Sequence, residues 1–278
     1  MIDRSRTYYR VVHARDGYMS DAEESFDPSS GLARSDFTDL EFETLEGVGR
    51  WLFLGTEIQS LRIPEDANIE LNSPMGQGGC YAYSSDKFQV LEALSIADWL
   101  TRLPERYEGS LHVRDIELPL ILRFPSCWSL QLENLAINAT DCFREEVDAI
   151  RLHHVSFANK TGLPGRLKEL RLLGVDPGDL VFPETLTSLS LDHCESSAPL
   201  DLSSLKSLED LQIEACAFEI VKLPASLKQV RVLHQPSTEF LHFDGVHPEA
   251  RFTFVKSPMA APLRDLLQAG GSSLMEIP

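Results

Sequence analysis

The chain has 278 residues, of which 43% are hydrophobic, and it carries 43 acidic and 25 basic side chains for a net charge of −18 at neutral pH. This acidity argues against nucleic acid and anionic membranes as partners, because both are bound through a basic footprint. It favours a basic protein partner, which long-range attraction would steer toward the chain.

Residues 1–36 are predicted to cap the N-terminal end of the fold, with a strand over Tyr8–His13 and a polar loop over residues 16–31. The first 20 residues contain six charged side chains and no apolar run, so the sequence predicts no signal peptide. No stretch approaches the roughly 18 apolar residues of a transmembrane helix. We therefore expect a cytoplasmic protein, or one secreted without a cleavable signal if it acts outside the cell.

From residue 37 to residue 256 the chain repeats a phrase in which Leu recurs as Leu-x-x-Leu-x-Leu, with clear copies beginning at Leu167, Leu186 and Leu208. The second apolar residue of each phrase serves as its marker, and the eight best markers are 19 to 22 residues apart. These markers are Leu111, Leu130, Ile150, Leu170, Leu189, Leu211, Val230 and Phe252.

Three earlier candidates, Leu40, Leu61 and Leu94, fit the phrase more loosely. An irregular segment over residues 64–90 interrupts the period there, and its glycine-rich part at residues 74–80 is predicted to be a loop. We expect these candidates to belong to the same continuous solenoid domain.

The alternating core of each phrase predicts a short strand whose marker points inward. One phrase cannot bury its own apolar side, so successive strands are expected to stack about 4.8 Å apart in a parallel sheet with a shared core. Repeats this short leave room only for extended, turn-like or 3₁₀ return segments. The predicted fold is a mostly-β solenoid of the α/β type, closed by a C-terminal cap over residues 257–278 whose helix, residues 262–269, ends at Gly270 and Gly271.

Three repeats carry an additional Leu-Pro-x-x-Leu or Phe-Pro-x-x-Leu mark, at residues 163–167, 182–186 and 223–227. The resulting L-P-x-x-L-x-x-L-x-L phrase resembles the short leucine-rich repeats of bacterial proteins, including the repeat domains of secreted effectors. The resemblance covers roughly residues 90–256. It implies a leucine-rich-repeat horseshoe with the parallel sheet on its concave face, and it implies no particular activity.

The repeat phase also predicts which side chains face solvent, and four of those in the middle outward position are arginines. A mixed Arg, His and Leu surface is typical of protein-binding hot spots, and Arg binds carboxylates through several hydrogen bonds at once. We predict that the partner-binding residues are His112, Arg114, Arg151, His153, Arg171, Leu173, Asp192, Arg231 and Leu233.

Two alternatives remain for this surface. Glu133, Glu169 and Asp192 may instead neutralise the arginines across the strands, or the surface may hold an anion such as phosphate. A separate candidate binding region is the segment over residues 16–50, which has ten acids against Arg34 and Arg50.

Phosphate-loop, zinc-protease and nucleophile-elbow motifs are absent, so we predict neither an enzyme nor a cofactor. The four histidines at 153, 154, 193 and 234 are expected at the surface, because matching repeats lie about 10 Å apart, too far for a shared metal ion. Cys127, Cys194 and Cys216 occupy inward slots, and the last two are expected to stack as buried thiols rather than to form a disulfide.

The expected function is therefore non-catalytic protein binding. Its most concrete form is a cytoplasmic immunity or inhibitor protein that masks a basic partner. The alternatives are a secreted bacterial effector, or its targeting domain, that docks on a host protein, and an enzyme with an unrecognised site.

Overall fold

The computed structural model describes residues 2–13, 25–27, 29–34, 40–72, 82–120, 122–196, 198–243, 245, 247–258, 261–269 and 271–277. The predicted loop at residues 74–80 lies outside these residues, as does most of the predicted loop at 16–31. The chain divides into two compact units, Met1–Ile116 and Glu117–Pro278.

The first unit is built mainly from antiparallel strands. Its elements, in chain order, are β1 (Tyr8–His13), β2 (Ser25–Asp27), β3 (Leu32–Arg34), β4 (Leu40–Phe42), α1 (Leu45–Val48), a 3₁₀ segment (Gly49–Leu54), β5 (Gly55–Arg62), β6 (Ile69–Leu71), β7 (Tyr83–Ser85), β8 (Lys87–Ser95), α2 (Ile96–Arg102) and β9 (Ser110–Arg114). One antiparallel sheet has the order β1-β5-β8-β3-β2, and a smaller one has the order β4-β7-β6.

The loosest repeat candidates lie in these antiparallel sheets. Leu61 of β5 is fully buried in a cluster with Phe42 and Phe88, but β5 pairs with β8 in the antiparallel sense, with Ile58 opposite Leu94. Inward and outward residues alternate with a period of two in both kinds of sheet, so the alternation at these positions could not distinguish them.

The second unit is a mostly-β solenoid of stacked parallel strands. Its elements, in chain order, are β10 (Cys127–Glu133), β11 (Ala136–Ile137), β12 (Val147–His153), β13 (Ser156–Phe157), β14 (Thr161–Gly162), β15 (Glu169–Leu173), a 3₁₀ segment (Pro177–Asp179), β16 (Leu180–Val181), β17 (Ser188–Asp192), β18 (Glu195–Ser196), β19 (Leu200–Asp201), β20 (Asp210–Glu214), β21 (Ala217–Phe218), β22 (Val221–Leu223), β23 (Gln229–Leu233), β24 (Leu241–Phe243), β25 (Arg251–Val255), α3 (Ala261–Ala269) and β26 (Ser273–Ile277).

The longer strands of this unit form its main sheet, in the order β10-β12-β15-β17-β20-β23-β25-β26, and every pair is parallel. The markers lie opposite one another, and Leu170, Leu189 and Leu211 are each no more than 2% exposed. The predicted inward register of these repeats is therefore confirmed. The short strands between them pair with one another as two- or three-residue extended segments.

A residue in the left-handed backbone region ends most of these main strands. The positions are Asn134, His154, Gly174, His193, Ala215, His234 and Lys256, with φ between 47° and 60°. The N–H of each donates to a carbonyl of the following main strand at 2.7–3.1 Å, which extends the sheet by one hydrogen bond. His, Asn and Gly adopt this conformation more readily than most residues, so three of the histidines have a structural reason to be where they are.

The C-terminal segment combines an expected helix with a strand that the repeat pattern did not predict. Helix α3 covers the segment expected to be helical, and β26 then pairs in parallel with β25, with Leu274 opposite Phe252. The main sheet thus gains a strand from a segment that was expected to serve only as a cap.

The first prediction tests the inward register. Leu189→Asp should lower the free energy of unfolding by about 4 kcal/mol or more, because it removes core packing and buries an unpaired charge. The control is Ser190→Asp, which adds the same charge at the next, solvent-facing residue and should cost less than about 1 kcal/mol. Urea unfolding followed by circular dichroism measures both, and equal stability of the two variants would contradict the register.

The second prediction tests the left-handed turn at Gly174. A Cβ at this position would lie 2.4 Å from the His154 ring, and the φ of +60° disfavours any L side chain. Gly174→Ala should therefore cost about 2 kcal/mol or more. Gly165→Ala is the matched control, since no atom lies within 4 Å of the added methyl group, and its effect on the thermal midpoint should be small.

Candidate functional site

The in-register pairing of the main sheet arranges its solvent-facing side chains in rows that cross the strands. Arg151, Arg171, Ser190, Gln212 and Arg231 are successive register partners in the middle row. We call these five residues the arginine row. It brings the three predicted arginines of this unit onto one face.

Arg151 and Arg171 lie directly opposite each other on neighbouring strands, about 4.8 Å apart at the backbone. Both are exposed, and neither side chain has a hydrogen bond or ion pair with any residue that the structure describes. Like charges in this arrangement destabilise a sheet. A carboxylate placed between the two guanidinium groups would relieve the repulsion.

Arg231 is held by a neutral neighbour. With the Gln229 amide turned so that its oxygen faces Arg231, that oxygen accepts hydrogen bonds from two guanidinium nitrogens at 2.8 and 3.1 Å. The Gln229 nitrogen then donates to Asp210 Oδ1 at 3.1 Å. The guanidinium is thus oriented while its charge remains without an ion-pair partner among the described residues.

A surface depression of about 320 Å³ lies between Arg171 and Arg231. It is lined in addition by Ser188, Ser190 and Gln212, and by the Asp210–Gln229 pair. Short serine side chains leave this part of the face open where the neighbouring repeats carry arginine.

The rows on either side of the arginine row contain acids. On the carboxyl side of the strands, Asp192 and Glu214 are direct register partners, and on the amino side lie Glu169 and Asp210. The backbone positions of each flanking row are about 7 Å from those of the arginine row, two residues along each strand. The face therefore presents positive charge between two negative margins.

The flanking acids pair with histidines rather than with the arginines. The pairs join His153 Nδ1 to Glu133 Oε1 at 3.2 Å, His193 Nδ1 to Asp192 Oδ1 at 2.6 Å and His234 Nδ1 to Glu214 Oε1 at 3.2 Å. The alternative of cross-strand neutralisation thus occurs at His153, whereas no described acid lies within ion-pairing distance of Arg151 or Arg171.

The predicted binding residues divide between the two units. The second unit places Arg151, His153, Arg171, Leu173, Asp192, Arg231 and Leu233 on one sheet face, and the two leucines are half-buried there. In the first unit, the His112 ring stacks on Phe53 at 4.3 Å, and Arg114 Nε lies 2.7 Å from Asp115 Oδ2.

The sequence analysis missed the amino-side row, including Ser188, Asp210 and Gln229, which help to form the depression. The signal was present, because these residues lie two positions before the arginine row and share its outward phase.

The described cysteines offer no accessible nucleophile. Cys127, Cys142, Cys194 and Cys216 are free and buried, and burial raises the pKa of Cys127 and of Cys142 to about 12. The Cys194 N–H donates to Cys216 Sγ at 3.4 Å, so the two thiols stack in neighbouring repeats as expected. The adjoining Cys194 side chain and burial raise the pKa of Cys216.

Within the described ranges, no group of three or more His, Cys, Asp or Glu residues is placed to hold a metal ion. None of the described helices is long and apolar enough to cross a membrane.

Comparisons of the chain with protein-family models, with curated proteins and with solved structures found no match.

Outside this face, the most perturbed carboxyl group is Glu41 in β4 of the first unit. Its Oε2 atom is buried and has no hydrogen-bond partner among the described residues. Burial raises the pKa of Glu41 from 4.5 to about 7. Folding therefore favours the protonated form of this side chain.

The third prediction concerns the pH dependence that follows. A raised carboxyl pKa means that stability is lost as pH rises from about 4.5 to about 7, where the folded protein must ionise a half-buried group. Glu41→Gln should remove this loss, so that the variant gains about 1–2 kcal/mol over the parent at pH 8 relative to pH 4, after allowance for solvent screening. Urea unfolding at both pH values measures the gain, with the exposed Glu70→Gln as control, and parallel pH profiles for parent and Glu41→Gln would contradict it.

Proposed function

We propose that this chain is a leucine-rich-repeat protein that binds another protein through the arginine row and the side chains beside it. The main sheet would form the concave face of a horseshoe. The regular phrase, the short return segments and the stacked parallel strands support this assignment. Solenoids of this kind expose extended faces that suit protein binding.

The observation that carries the proposal is the pair Arg151 and Arg171. They lie side by side without a carboxylate partner in the described chain, although acids outnumber bases by 43 to 25. Their exposed guanidinium groups make no described contact that stabilises the fold, and their mutual repulsion opposes it. A partner that supplies carboxylates gives this arrangement a purpose.

The most concrete form of the function is an immunity or inhibitor protein of the cytoplasm that masks a basic partner. The net charge of −18 would accelerate encounter with such a partner, and the arginine row would provide contacts after encounter. The Leu-Pro-x-x-Leu marks favour a second candidate, a secreted effector that docks on a host protein. The genes beside its own would distinguish these, since a toxin gene favours the first and a secretion cluster the second.

The fourth prediction tests the binding face. Full-length tagged protein purified from its native cells should retain a partner, and the double variant R151A/R171A should bind that partner more than about tenfold more weakly, a loss of about 2 kcal/mol, as for hot-spot residues. Circular dichroism and the thermal midpoint should show that the variant remains folded.

The matched control is R166A/R264A, which removes the same charge from two exposed, ion-paired arginines outside the main-sheet strands. It should change the affinity less than about threefold, because exposed ion pairs contribute little. Equal binding by the parent and R151A/R171A would show that the partner binds elsewhere, and residues 16–50 would then be the region to test.

A further inference from the structure

We propose that the arginine row receives an extended acidic segment of the partner, with carboxylates four residues apart on Arg171 and Arg231 and basic side chains beside them. This inference rests on the proposed protein-binding function and adds the chemistry of the bound segment. The juxtaposition that carries it is a pair of arginines without acidic partners, at a fixed spacing, across an open depression between acidic margins.

The spacing follows from the register. Arg171, Ser190, Gln212 and Arg231 are successive partners, so the two arginines are three strands apart, or about 14 Å at the backbone. An extended chain advances about 3.3 Å per residue and covers about 13 Å in four residues. Side chains four residues apart also lie on the same side of an extended chain, so two carboxylates spaced in this way reach both guanidinium groups.

The depression fits the residue between the two carboxylates. It holds about 320 Å³ and is lined by the side chains of Ser190 and Gln212, midway between the arginines. The two residues offer a hydroxyl and an amide, and neither carries a charge. A small polar side chain from the middle of the bound segment therefore suits this position. The segment would run across the strands, along the row, rather than parallel to them.

The acidic margins select against a ligand that is only negative. Glu169 and Asp210 flank the depression on one side and Asp192 and Glu214 on the other, with backbone positions about 7 Å from the row. These carboxylates repel nucleic acid and other polyanions and attract basic side chains. The matching ligand has a central line of carboxylates with lysine or arginine on either side.

This pattern reconciles two properties of the chain that otherwise conflict. A net charge of −18 favours a basic partner, whereas arginines without ion pairs require carboxylates. A partner that is basic overall and presents an acidic stripe satisfies both requirements. Long-range attraction then depends on net charge, and the orientation of the complex depends on the arginine row.

The test uses two peptides of identical composition and zero net charge with the full-length protein. The first, Thr-Thr-Glu-Lys-Ser-Lys-Glu-Thr-Thr, has glutamates four residues apart with lysines beside them. The second, Thr-Thr-Lys-Glu-Ser-Glu-Lys-Thr-Thr, exchanges the two charges. Calorimetric titration should show binding of the first peptide at least about fivefold tighter than the second, the difference expected for about 1 kcal/mol of ion pairing.

Variants locate the site of binding. R171A and R231A should each weaken binding of the first peptide by about fivefold, whereas R151A, outside the spanned interval, should change it by less than about twofold. Inorganic phosphate at the same concentration should not displace the peptide. Equal binding of the two peptides, an unchanged affinity in R231A, or displacement by phosphate would each overturn the inference.

Failure of this inference is distinguishable from failure of the proposed function. If R151A/R171A loses the captured partner but the first peptide neither binds nor competes with it, the face binds protein by other chemistry and the acidic-segment inference is wrong. If the partner binds R151A/R171A as it binds the parent, the proposed function itself is wrong.

Discussion

The second unit depends on burying two alternate apolar residues from each main strand against those of its neighbours. Leu189 and Leu191 on β17 are almost completely buried, and so are their register partners Leu211 and Ile213 on β20. A slip by one residue would turn these side chains to solvent and would move the arginine row into the core. The same constraint therefore fixes the hydrophobic core and forces Arg151 beside Arg171. The surface charge pattern is a consequence of the core register.

The register survives although the repeats differ in length. Markers are 19 residues apart between Leu170 and Leu189 but 22 apart between Leu189 and Leu211. Left-handed residues at the strand ends provide a constant exit from the sheet, and their N–H groups bond to the next strand. The variation falls in the return segments, where short strands such as β19 and β22 pair separately. Loops absorb added residues at low entropic cost, so the sheet is not disturbed.

The charges of this unit act over two different distances. The excess of acid over base is a property of the whole chain, and it sets long-range attraction that salt screens beyond about 8 Å at physiological ionic strength. The arginine row acts at contact distance, where Arg231 is already oriented by Gln229. Orientation of a side chain before binding lowers the entropy lost on association. Encounter and specific contact can therefore involve opposite charges on the same molecule.

Much of the second unit could be predicted from its period alone. The inward markers, the parallel stacking, the short return segments, the helix before Gly270 and the outward phase of Arg151, Arg171 and Arg231 all follow from the alternation of apolar residues, because burial sets both spacing and direction. The antiparallel pairing of β5 with β8 did not follow, since alternation is the same in either sheet type. Strand β26 was missed because it lacks a preceding repeat phrase and its Met275 and Ile277 remain exposed.

What only the tertiary structure decided is which charges on the face meet. Glu133 pairs with His153, while Glu169 and Asp192 lie in neighbouring rows without contacting the arginines. The sequence by itself determined the row of each side chain, through a backbone period that burial enforces. It left the ion pairs and the depression over Ser190 undetermined, because these depend on side-chain conformations and on distances between residues about twenty or more positions apart, which no periodic pattern encodes.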